Sequence, residues 1–159
     1  MLRIVAFVAI ICLGSIAVAE AQETLVLRVV VDLATFDSAP ASGGGSAFYV
    51  RGQFCPGAVG TDCPTPSGLY HCWGFNTGKG FSVINQEYDI FGRGALMVQG
   101  REDPDAGPRS VVGGTGDFVN ARGQGSVSVP LPGLRTQPLH GPSGLPEFEI
   151  TFVIQGATN

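Results

Sequence analysis

Lysine is nearly missing from this sequence: Lys79 is the only one among 159 residues. Charged residues supply just 14% of the chain and the net charge is −4. Nucleic acid and anionic membrane both need clustered cations, so neither is expected as a partner. Histidine is scarce too. His71 stands beside Cys72 and His140 lies in a proline-rich segment, and neither belongs to a hydrolase motif pairing a nucleophile with a base. After residue 18 no apolar run is long enough to span a bilayer. Nothing reads as an amphipathic helix.

What is present starts with a leader. Met1-Leu2-Arg3 is positively charged, Ile4 to Val18 is almost unbroken apolar, and Ala19-Glu20-Ala21 has the small-x-small form of a signal-peptidase site. Residues 1–21 therefore read as a secretory signal peptide. The alternative, an uncleaved anchor, lacks the stop-transfer charges that would follow it. The remainder, 22–159, reads as one domain, secreted or periplasmic, starting near Gln22 after cleavage near Ala21. Cys12 leaves with the leader; Cys55, Cys63 and Cys72 stay. Cys55 and Cys63 bracket the loop CPGAVGTDC and are the preferred disulfide pair, although three thiols allow other pairings. A metal site built from these cysteines with His71 does not match zinc spacings, so no metal and no cofactor are expected.

Glycine, proline and valine dominate the rest, which suggests short strands joined by tight turns. Thr24 to Leu33 alternates: Leu25, Leu27, Val29, Val31 and Leu33 share one face. The other face mixes Val26 and Val30 with Arg28 and Asp32, so both faces are expected to be partly covered. Phe36 to Ser46 carries Pro40 and a triple glycine and reads as a mobile loop. Further strands are expected at Ala47–Phe54, Gly68–Phe75, Phe81–Ile90, Ala95–Arg101, Arg109–Val112, Gly123–Val129 and Phe148–Gln155. Turns are expected at Asn76–Gly80 and Phe91–Gly94, and a long irregular loop at Pro130–Pro146. Eight strands without a helix point to an all-β sandwich or a closed barrel. A barrel of that size is filled by side chains or holds one small ligand.

The stretch VVGGTGDFVNARGQG, Val111 to Gly125, opens like a phosphate-binding turn. Such a turn must start a helix, and here Gly123 and Gly125 break any helix within two turns. Its glycines are expected to serve backbone geometry, with Thr115 to Ala121 forming one irregular corner that sets Asp117 and Arg122 at a barrel mouth. This stretch resembles the signature of plant dirigent proteins, a Val-Val-Gly-Gly-Thr-Gly-x-Phe segment before Ala-Arg-Gly. LRVVVDL resembles their first strand, with Val31 in place of a histidine. GLYHCWGF and GRGALMVQGRED resemble further strands, the latter also similar to the allene oxide cyclases.

The resemblance implies an eight-stranded antiparallel β-barrel, a pocket inside it, and assembly as a homo-oligomer, usually a trimer. It implies a small hydrophobic or phenolic ligand whose coupling or cyclisation is directed or catalysed. By motif position it marks Asp32, Asp117 and Arg122 as catalytic candidates: a half-dry carboxylate can move a proton, and an arginine can hold an oxyanion. Against this, Asp117 can simply cap the glycine turn with Arg122 paired to it, and Asp32 can pair with Arg28. Tyr49, Glu87 and Tyr88 are secondary ligand-binding candidates, but Glu87 and Tyr88 cannot both point inward in a regular strand. Whether the chain is an enzyme stays open. The alternative is a non-catalytic module of the same fold that binds a ligand or acts at the cell envelope.

Overall fold

A computed structural model describes residues 22–102, 108–129 and 147–157. The leader, most of the connection after Glu102, His140 and the segment from Pro130 to Pro146 lie outside the described residues. The strands are β1 (Gln22–Ala41), β2 (Gly45–Phe54), β3 (Gly68–Asn76), β4 (Ser82–Ile90), β5 (Gly94–Glu102), β6 (Arg109–Gly114), β7 (Arg122–Val129) and β8 (Glu147–Gln155). Each is antiparallel to the next, and β8 returns to β1 to close a barrel.

Alternation sorts each strand into an inner and an outer face. Leu27, Val29 and Val31 of β1 point inward with Tyr70 and Cys72 of β3, Ile84 and Tyr88 of β4, Leu96 and Val98 of β5, and Ile150, Phe152 and Ile154 of β8. Aromatic rings fill the middle: Tyr88 stacks on Phe54 at 5.7 Å and meets Phe152 edge-on at 5.0 Å.

Two parts of the sequence reading change. The segment Phe36 to Ser46 is not a mobile loop: β1 runs through it to Ala41, and β2 begins at Gly45. A bulge after Asp32 takes up extra residues, and Gly43 and Gly44, at φ +98° and +88°, make the hairpin turn that only glycine takes without strain. Nor does Asp32 hold Arg28. The loop closed by the Cys55–Cys63 disulfide folds back over the outer face of β1, where the Cys55 N–H donates to Arg28 O at 3.0 Å. Beneath it Arg28 donates to both carboxylate oxygens of Glu147, at 2.9 and 3.0 Å, and to Pro56 O, Thr61 Oγ1 and Thr61 O. Arg28 and Val30 are therefore buried although they face outward.

The signature stretch forms the corner at one end of the barrel. Gly113 and Gly116 take φ of +135° and +57°. A side chain on Gly114 would overlap the carbonyl oxygen of Ala95. Phe118, in a short 3-10 turn, is fully buried and plugs this end.

Candidate functional site

The opposite end, where the hairpins β1–β2 and β3–β4 turn, carries a polar cluster inside the barrel. Arg109 opens β6 and points inward. It fits because its strand neighbours on both sides are glycines: Gly100 on β5 and Gly125 on β7. Added Cβ atoms there would lie 3.0 Å from Arg109 Cδ and 3.3 Å from its Cβ. The guanidinium is 2% exposed and donates to Gln86 Oε1 at 3.2 Å, Arg101 O at 2.7 Å and Glu102 Oε1 at 3.1 Å. Gln86 donates in turn to the Tyr70 hydroxyl at 2.8 Å, and the Tyr88 hydroxyl donates to Gln86 Oε1 at 3.1 Å. Among the described residues no buried side-chain polar atom lacks a partner.

Electrostatics separates the members. Burial pushes the Glu102 carboxyl above the usual carboxylate range, and Arg109 opposes that only in part. Its side chain is still 28% exposed, so solvent or a ligand can reach it. Burial also holds both tyrosines neutral and pushes the free Cys72 thiol up to about 11. Cys72 is thus an inert core thiol here rather than a nucleophile. Nearby, Phe48 packs against the core and stacks on Phe36 at 6.3 Å, and Phe36 remains half exposed.

The residues singled out in the sequence go to three places. Tyr88 is inside, at 0% exposure. Asp32, Tyr49 and Glu87 stand on the outer wall of β1, β2 and β4, with Tyr49 OH 2.7 Å from His71 Nδ1. Asp117 and Arg122 flank the plugged corner, not the end that holds Glu102 and Arg109. There Asp117 accepts from Arg93 Nε at 3.0 Å, while Arg122 donates to Ala121 O at 2.6 Å. Arg93 also grips Glu23 with two hydrogen bonds, at 2.6 and 2.9 Å. The arrangement joins the β4–β5 turn, β1 and the corner.

Sequence reasoning did not single out Arg109, Glu102, Gln86 or Tyr70. One signal was available: Gln86 falls in phase with Ile84 and Tyr88, so a face carrying Tyr88 inward carries an amide inward too.

No family model and no curated protein matches the sequence. Solved structures do match. A pyocyanin demethylase aligns over 84% of this chain and 100% of its own, at 15% identity and a TM-score of 0.57. A pterocarpan synthase dirigent protein aligns over 85% of this chain and 88% of its own, at 14% identity and a TM-score of 0.61. At such identities the likeness establishes the fold: an antiparallel barrel of the dirigent type.

Proposed function

We propose that this chain is an exported barrel that binds a small apolar or aromatic molecule at the Glu102–Arg109 end of its interior and directs or catalyses its coupling or cyclisation. The observation that carries the reading is the buried Arg109 cluster. Packing alone does not ask for it, since a buried ion pair is often no more stable than apolar residues of the same volume. Glu102, with its carboxyl raised and still reachable, can hand over or take a proton more readily than an ordinary surface carboxyl can. Arg109 is fixed by Gln86 and can hold an oxygen that gains negative charge. Phe36 and Phe48 offer ring faces at the same end. The two structural neighbours are named for work on small molecules, one a demethylase of pyocyanin and the other a synthase of pterocarpans. Export after cleavage near Ala21 accords with the Cys55–Cys63 bond.

One observation favours a non-catalytic module instead: the middle of the barrel is filled, with Phe54, Tyr88 and Phe152 at 0–1% exposure. Mass spectrometry of small molecules that co-purify with the secreted protein supplies the ligand, and two variants then decide. Arg109→Gln should weaken its binding. Glu102→Gln should leave binding in place and abolish turnover. Binding that survives Arg109→Gln unchanged overturns the interior site. Turnover that survives Glu102→Gln removes the catalytic reading and leaves a binding module.

A further inference from the structure

The outside of the barrel is not uniform. On β6 to β8 the outward positions are mostly small or neutral, such as Ser110, Gln124, Ser126 and Thr151. On β1 to β4 one register row reads Asp32–Arg51–His71–Glu87, and the next sets Tyr49 beside Trp73 and Asn85. Against the first row lies a groove of about 280 Å3, lined by the apolar Val30 and Leu69 and the polar Asp32, Arg51, Gln53 and His71. That volume is at the small end for ligand sites.

The groove exists because of the bulge. Between Asp32 and Asp37 β1 advances five residues while β2 advances two, so three extra residues stand off the sheet as a wall. Bulges of this kind re-aim side chains beside functional sites. The wall is pinned. Asp32 Oδ1 accepts from Ala34 N–H at 3.0 Å, and Thr35 Oγ1 donates to Asp32 O at 2.7 Å and accepts from Arg51 N–H at 2.8 Å. His71 is oriented by Tyr49 OH at 2.7 Å. Within the described residues this leaves the Arg51 guanidinium, the second Asp32 oxygen and the second imidazole nitrogen with no hydrogen bond, side by side around the groove.

The chemistry narrows the occupant. A purely apolar ligand would leave these planar polar groups unpaired. A single anion would meet Asp32 and Glu87 at the two ends of the row. A second copy packed by a two-fold about the centre of the row would set Asp32 against Glu87, and like charges in direct opposition are unfavourable. What fits is a neutral molecule rich in paired hydroxyls with one apolar face. Forked groups such as carboxylate and guanidinium bridge adjacent hydroxyls, and exposed rings stack on C–H faces. Tyr49 is 37% exposed and Trp73 is half-buried beside it.

We propose that this outer groove is a second ligand site and that it takes a neutral saccharide, its hydroxyls held by Asp32, Arg51 and His71 and a ring face laid on Tyr49 and Trp73. It is separate from the interior site and does not depend on that reading.

Trp73 is the only tryptophan in the chain, so fluorescence excited at the red edge, where the tyrosines do not absorb, reports on this face. The secreted protein is titrated with cello-, xylo-, manno- and chito-hexaose and with an oligogalacturonate as the acidic counterpart. At least one neutral saccharide should give a saturable change. Arg51→Ala and His71→Ala should each weaken it by roughly tenfold, which is ~1.4 kcal/mol. The interior variant Glu102→Gln should bind as the parent does, so failure here is distinguishable from failure of the interior site. Arg51→Ala should melt as the parent does, because its guanidinium holds nothing among the described residues. The proposal is overturned by no saturable response to any neutral saccharide, by a response to the acidic one alone, or by a response that Arg51→Ala does not change. Sedimentation that shows a dimer dissociated by Arg51→Ala also overturns it, since a second copy would then occupy the face.

Discussion

Gly114 and Asp117 stand three residues apart in one corner and should answer substitution in opposite ways. A side chain on Gly114 would collide with the backbone carbonyl of Ala95 and would crowd Phe118 Cβ at 2.8 Å. Neither neighbour can give way without opening the β5–β6 pairing, so Gly114→Val should destabilise by about 3 kcal/mol or more in a denaturant melt. Asp117→Asn keeps the shape and removes one partly exposed charge from Arg93, which still holds Glu23. Its loss should stay within about 1 kcal/mol. A larger loss would mean that the corner depends on the Asp117 charge. Glu102 gives a third test at this scale. Burial raises its folded carboxyl above the unfolded value, so the folded state binds the proton more readily. That contribution is fully present below the unfolded carboxylate pKa and is lost as pH rises through the raised folded one. Once pH has risen through that folded value the ionised Glu102 weakens the fold, so Glu102→Gln should raise the melting temperature on the alkaline side and change little near pH 4. A fall on the alkaline side would show that the attraction of Arg109 outweighs burial.

The disulfide loop and the β1–β8 seam act as one element. Cys55–Cys63 closes a loop whose Pro56, Gly60 and Thr61 hydrogen-bond the buried Arg28–Glu147 pair. Burial alone would raise the Glu147 carboxyl, but hydrogen bonds from Arg28 and Gly60 N–H win and lower it. Its stability is therefore present above the unfolded carboxylate pKa and lost as pH falls through the lowered folded value. Arg28→Met strands a carboxylate beneath the loop and should cost about 3–5 kcal/mol at neutral pH, with the loss shrinking in acid as Glu147 protonates. Pairing it with Glu147→Leu should recover most of that loss; a double variant as weak as the single one would refute the account. The strands themselves were largely legible, because Leu27, Val29 and Val31, or Ile150, Phe152 and Ile154, mark an inner face by period alone. The far half of β1 was not. Pro40 and the glycine run carry true loop chemistry, and they are tolerated because among the described residues this half pairs only with β2, so a missing N–H on its other side breaks no described ladder.

Period alone does not tell which face of a strand lies inside a closed molecule, and that is where the site escaped the sequence. Glu87 and Tyr88 were alternatives until closure put Tyr88 at 0% exposure and Glu87 on the wall. Asp117 and Arg122 are close in sequence, yet the partner that matters to Asp117 is Arg93 on another turn. Arg109 and Glu102 flank a polar connection and look solvated, and only the glycines on either side let Arg109 lie inside. The barrel is thus the condition for the site, and β1 is what closes it. Its first half, Gln22 to Val30, pairs with β8 and its second half, from Val29, with β2. A chain shortened to begin at Val29 keeps the β1–β2 ladder but loses most of the ladder to β8, which then becomes an open edge. It also loses Arg28 over Glu147 and Glu23 beside Arg93. Exposed edges recruit other chains. The shortened protein should elute as large soluble aggregates, and β8 amides should exchange far faster than those of β3 and β4. Elution as a monomer with β8 amides protected as in the parent would show that the barrel closes without the first half of β1, and that the seam is not where its integrity resides.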